Sequence, residues 1–152
     1  ILRIRPAAIS TDDRYAMNIT RAALQKIALS FTFDGKEEGG ILGESGGIVT
    51  RFYYDAEGAR SADSYVPDVS RLNAVLGRWA REKIRFAGLI HSHTGGCGEL
   101  SESDKRYFLQ IEKAVRSAPL YFPVVCKEEG KILIYVHKLQ EGRWFGEDRI
   151  VI

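Results

Sequence analysis

Disulfide chemistry is nearly absent from this chain of 152 residues, which has only two cysteines, Cys97 and Cys126. Two are too few for a disulfide scaffold and suit a reducing compartment, so a cytoplasmic protein is expected. No stretch approaches the run of about 18 uninterrupted apolar residues that a membrane helix needs. Ile1 to Pro6 carries Arg3 and Arg5 among its apolar positions, unlike the apolar core of a signal peptide. The chain begins at Ile1 rather than at a methionine, so that expectation covers only the residues present. Charge of one sign is missing as well: 22 basic residues against 20 acidic ones leave a net +2. No phosphate-neutralising face is expected, and with it no nucleic-acid partner, while the lack of a long apolar run leaves no membrane partner expected either. Internal repeats and low-complexity segments are absent.

What is present is the composition of a folded globular protein, 45% hydrophobic and 28% charged. A chain of this length can bury its apolar surface in one core, so residues 1–152 are expected to form a single domain. Ser10-Thr11-Asp12-Asp13 followed by Ala16, Ile19, Ala23 and Ile27 predicts a capped amphipathic helix over about 12–30. Gly39 to Gly43, a turn at Glu44 to Gly46, and Ile48 to Tyr54 read as a hairpin. Asp55 to Asp68 has no periodicity and reads as a long loop of the kind that covers a site. Leu72, Val75, Leu76 and Trp79 mark a second helix, and Phe86 to Ile90 a buried strand ending at His91. A third helix spans Ser101 to Ser117, its buried stripe being Phe108, Ile111, Ala114 and Val115 and its stop Pro119. Tyr121 to Cys126 and Ile132 to Val136 flank Glu129-Gly130 as a hairpin, and the tail around Trp144 and Phe145 adds a last strand or packs over the sheet. The class is α/β, with a mixed sheet flanked by about three helices.

The candidate chemistry lies between the second and third helices. His91-Ser92-His93 follows a buried strand, and the two-residue period of a strand places both imidazoles on one face. Asp104 falls in the first turn of the third helix, from which it can turn back toward the strand end. Two nitrogens and one carboxylate oxygen leave a fourth tetrahedral position open, as in catalytic zinc sites, where the pKa of bound water falls to about 7. Amide hydrolysis also needs a carboxylate proton shuttle and a donor to the developing oxyanion. Glu37 and Ser101 are the candidates.

Glu37-Glu38-Gly39-Gly40-Ile41-Leu42-Gly43, then His91-x-His93, seven residues, Ser101, two residues and Asp104 resembles the signature of the JAMM (MPN-plus) metalloproteases. The resemblance runs from about the first helix to the strand near His137 and does not reach the tail beyond Trp144. It implies a cytidine-deaminase-like layered α/β domain holding one Zn2+ per chain on His91, His93 and Asp104. It also implies a catalytic acid/base at Glu37, three residues before Gly40, and a transition-state hydrogen bond from Ser101. The implied activity is cleavage of an isopeptide or peptide bond after the C-terminus of ubiquitin or a ubiquitin-like protein, whose conjugate is the partner. Stand-alone members of this size are often prokaryotic. The chain departs from the pattern at Thr94, where the family usually has proline, so a looser Thr94-Gly95-Gly96 loop is expected.

Each element of the motif also has a plainer explanation. A lone His-x-His is more often a polar strand end than a metal site. Ser101-Glu102-Ser103-Asp104 is a complete capping box, with Ser101 at N-cap and Asp104 near N3, and capping and ligation can coexist. Glu37 alone is a solvated acid, and the glycines after it alone are a turn. Only the joint pattern is specific. Cys97, between His93 and Asp104, reads first as an incidental loop residue and second as a redox latch, its thiolate taking the open zinc position or bridging to Cys126. His137 reads as an ordinary strand histidine. Two other functions compete: a metal-free MPN scaffold for protein partners, against which the retained ligand set argues, and a role in DNA transactions, which the near-neutral charge does not support.

Overall fold

A computed structural model describes residues 2–4, 17–95, 98–115 and 119–152. Among these, the chain forms β1 (Leu2–Ile4), β2 (Met17–Ile19), α1 (Arg21–Ser30), β3 (Gly39–Ser45), β4 (Ile48–Tyr54), β5 (Ala59–Arg60), β6 (Tyr65–Val66) and α2 (Val69–Arg81). There follow β7 (Arg85–Ser92), α3 (Glu102–Val115), β8 (Leu120–Tyr121), β9 (Val124–Glu128), β10 (Lys131–Gln140) and β11 (Arg143–Val151). A nine-stranded sheet runs in the order β1-β2-β4-β3-β7-β8-β10-β11, with β9 between β7 and β10, and β5 and β6 make a separate ribbon. Parallel pairing of β7 with β8 and β9, among antiparallel neighbours, makes the large sheet mixed. The expected α/β class with a mixed sheet and three helices is thus the observed one.

Strands β8 and β9 keep one register against both neighbours and are a single strand line broken at Phe122-Pro123. The break follows from Pro123, which has no N–H for the ladder. Its carbonyl still accepts from the His91 amide at 3.1 Å. Tight hairpins join β3 to β4, β9 to β10 and β10 to β11. Their turn pairs Gly46-Gly47, Glu129-Gly130 and Glu141-Gly142 all take positive φ, as type I′ turns require.

Side-chain alternation sends the core to both faces. Leu42, Ile90, Val125 and Ile134 pack with Ala23, Leu24 and Ile27 of α1. Leu89, Phe122, Val124 and Leu139 point the other way, against Phe108 of α3, and Ile41 meets Leu72, Val75 and Trp79 of α2. The result is three layers, with α1 on one face and α2 and α3 on the other. Burial of Phe108 and its stacking on Phe122, ring centroids 4.1 Å apart, anchor α3 and hence the end that carries Asp104.

Three sequence expectations need correction. The first helix does not run from Asp12: Met17–Ile19 is a strand, and α1 begins after Thr20, whose hydroxyl caps the Ala23 amide at 3.1 Å. Ile19 fitted the helical spacing by coincidence, being a fully buried strand residue paired with Val49, while residues 10–16 lie outside the described part. In α3, Ala114 and Val115 are exposed, so the buried stripe reduces to Phe108 with Leu109 and Ile111 half-buried. The segment from Asp55 to Asp68 is not wholly irregular, since it holds the β5–β6 ribbon. The tail meets both of its expectations, forming β11 and placing Trp144 against Phe108 and Phe122.

Candidate metal centre and cleft

The two histidines are delivered by the parallel ladder. His91 pairs with Val124, and the His93 amide, one step past the strand, still donates to the Val125 carbonyl at 3.1 Å. Extended backbone through residue 93 keeps both rings on the α3 face, with Nε2 atoms 2.9 Å apart and rings near perpendicular at 73°. Opposite them, Ser101 and Asp104 form the capping box in full: the Ser101 amide donates to Asp104 Oδ2 at 3.1 Å, and the Asp104 amide to Ser101 Oγ at 3.0 Å. Capping aims Oδ2 at the histidines, 3.3 Å from each Nε2. The cap uses an acceptor site of the Ser101 hydroxyl and leaves its proton available to the cleft.

Ligand atoms around a tetrahedral zinc, at bonds of about 2.0–2.1 Å, are spaced about 3.3 Å from one another. The triangle here has edges of 2.9, 3.3 and 3.3 Å, the dimensions of one face of such a tetrahedron. His91, His93 and Asp104 are therefore a group that can hold a metal ion. Their protonation suits that use. Burial drives the His91 pKa down, favouring the neutral, ligating imidazole. Burial alone would raise Asp104, but hydrogen bonds from both rings and from the Ser101 amide outweigh it and hold the carboxyl well below the usual range. The buried Nδ1 of His91 has no partner among the described residues, so packing against Phe108, 5.7 Å between ring centroids, orients this ring. Metal-binding histidines more often rely on an outer hydrogen bond.

Glu37 and Glu38 part company as strand alternation requires. Glu38 turns into the α1 side, fully buried, and accepts from the Thr32 and Phe33 amides at 2.9 Å each, the Thr32 hydroxyl at 2.9 Å and the Tyr54 hydroxyl. It is a structural carboxylate with its lone pairs occupied. Glu37 faces the other way and lines the cleft that contains His91, His93, Ser101 and Asp104. Burial pushes its carboxyl up to about 7, His93 pulls it down in part, and Asp104 and Asp63 push it up. A carboxyl poised there can exchange protons at neutral pH. The glycines after it are not a turn but the start of β3, and a Cβ at Gly39 would come within 2.1 Å of the Tyr65 ring.

The cleft has a volume of about 620 Å3. The Asp55–Asp68 segment, expected to cover a site, supplies one wall through residues 62–67. Buried Asp55 fastens that wall, accepting from the Tyr65 hydroxyl at 2.7 Å and the Asp68 amide at 2.9 Å. Tyr107 and Phe108 of α3 form the opposite side. They were not singled out as cleft residues from the sequence, although their spacing of three and four from Asp104 puts them on its helix face. Tyr65 has no such signal, because its segment lacks periodicity. Thr94 is tied across the cleft, its hydroxyl donating to the Ala62 carbonyl at 2.8 Å. Cys97 lies outside the described residues, and with it the latch and the bridge to Cys126. His137 takes no part in the cleft and bonds the Gly98 carbonyl through Nε2 at 2.7 Å.

Fold and site together define an α/β domain with a mixed central sheet and a His-His-Asp group able to hold a metal ion. Among solved structures it is similar to the solution structure of protein DSY2949 from Desulfitobacterium hafniense, at 17% identity and a TM-score of 0.64 over 86% of this chain and 88% of that one. At that identity the likeness is one of fold. No protein-family model matches the chain, and no curated protein does.

Proposed function

We propose that this protein is a zinc-dependent isopeptidase of the JAMM type, acting after the C-terminus of ubiquitin or a ubiquitin-like protein. The observation that carries the reading is that Glu37, distant in sequence, lines the same cleft as His91, His93 and Asp104. Two imidazoles and a carboxylate are a borderline ligand set that suits zinc better than magnesium or calcium. Zinc, when bound, supplies Lewis acidity toward the scissile carbonyl and the attacking water. Glu37 takes a proton from that water and returns it to the leaving amine. The Ser101 hydroxyl donates to the carbonyl oxygen as negative charge develops there. Residues 62–67 and Tyr107 hold the extended peptide and limit water in the cleft.

Elemental analysis of the purified protein tests the foundation: about one zinc per chain, lost in Asp104→Ala, is the expected result. Cleavage of ubiquitin-like conjugates should then fall by at least about 100-fold in Glu37→Gln with zinc retained. A protein that takes up no zinc even when supplied would favour a metal-free scaffold instead.

A further inference from the structure

Glu37 makes no side-chain hydrogen bond to a described residue, so its backbone must place it. Both polar backbone groups of Glu37 are held by one short segment: its amide donates to the Ser61 carbonyl at 2.8 Å, and its carbonyl accepts from Arg60 Nε at 3.1 Å. Arg60 also reaches the turn before Glu37, where Nη2 donates to Asp34 Oδ1 at 2.5 Å; the same oxygen accepts from the Lys36 amide at 3.2 Å. Nη2 stands 3.8 Å from the buried Glu38 carboxylate. The next residue along, Ala62, is the acceptor for Thr94, the neighbour of His93. Residues 60–62 thus bridge the backbone carrying Glu37 and the backbone carrying His93, and lead directly into the cleft wall.

We infer that Arg60 is a positioning residue for Glu37 and that residues 60–62 act as a strap holding the carboxylate in register with the metal ligands. The inference rests on the proposed function in taking Glu37 as the proton shuttle. Arginine suits the role because its planar fork serves the Glu37 carbonyl and the Asp34 carboxylate together, while a lysine ammonium on a flexible stem does not reproduce that geometry. Arg60 does not touch the cleft, so its loss should misplace Glu37 and leave metal and substrate binding intact.

Amide hydrogen exchange and steady-state kinetics on the zinc-loaded chain test this. In Arg60→Ala the Glu37 amide should exchange about 10-fold faster or more, while the Glu38 and Ser92 amides, which bond each other's residue, stay protected. Zinc should remain at one per chain. A drop in kcat of about 10-fold at unchanged KM is expected, in line with the cost of misplacing a catalytic group. In the Glu37→Gln background Arg60→Ala should cost nothing further, and Arg60→Lys should fall between parent and alanine; the lysine variant carries the test if the alanine variant does not fold. Unchanged Glu37 exchange, loss of zinc, or a kcat penalty that persists without the Glu37 carboxylate would overturn the inference. If the parent cleaves no conjugate, the proposed function fails, while the exchange measurement still decides whether Arg60 holds Glu37.

Discussion

Two adjacent glutamates show how environment divides identical chemistry. Glu38 is surrounded by donors and turned from the cleft, whereas the Glu37 carboxyl is partly buried near other carboxylates and pushed up to about 7. That shift has a sign for stability. An unfolded Glu37 loses its proton near 4.5, but the folded one keeps it up to about 7. Its contribution is therefore complete below pH 4.5 and lost as the pH rises through about 7. In metal-free protein, Glu37→Gln should gain stability relative to the parent across that window, by on the order of 1 kcal/mol because the group is half-exposed and screened. Urea unfolding with chelator at either end of the window measures it; a difference that stays flat with pH would mean burial does not govern this carboxyl.

At the scale of elements, the site depends on β7 keeping its register on three neighbours. Gly88 makes this work where the strand bulges, with φ of +145° and a virtual Cβ 1.7 Å from the Tyr121 carbonyl oxygen. Gly88→Ala should cost about 3 kcal/mol and lower zinc affinity along with stability, since it pushes β8 from the strand that carries His91; thermal unfolding and zinc titration would show both. Which elements were legible beforehand follows the range of their causes. The hairpin at Glu129-Gly130, the helix ending at Arg81 and the capping box at Ser101 are local and could be read from spacing. The strand at Met17–Ile19 could not, because its pairing with Val49 is remote and its apolar residues mimic a helical stripe. Ala114 and Val115 fit the helical spacing yet stay exposed, because α3 meets the sheet mainly through Phe108 and its half-buried neighbours.

Across the whole molecule, near-zero net charge conceals an uneven distribution. The described cleft residues include Glu37, Asp63 and Asp104 but no lysine or arginine. Glu37 and Asp104 are partly buried, whereas Asp63 is exposed at the rim of the cleft, where salt screens it. Zinc, when bound, offsets the charge of Asp104 and Glu37, so peptide conjugates with Asp or Glu near Asp63 should be cleaved only about 2-fold less efficiently than those with neutral or basic residues there, the gap narrowing as salt is raised. Comparison of kcat/KM across such a series at low and high ionic strength checks it, and equal rates throughout would show that the cleft does not discriminate by charge.

The amino-acid sequence by itself placed His91 and His93 on one face and Asp104 in a capped helix turn, because each obeys short-range geometry, while the stacking of Phe108 on Phe122 holds that turn beside the histidines. It also determined that only one of Glu37 and Glu38 could share their face. The motif spacing before Gly40 points to Glu37 as that one, but only tertiary structure brings it to the histidines, through the pairing of Gly39 with His91 in adjacent strands. The strap at Arg60 and the wall at Tyr65 likewise exist only in the folded chain. Their bonds to Glu37, Asp55 and Thr94 join segments whose separation in sequence leaves no local pattern to read.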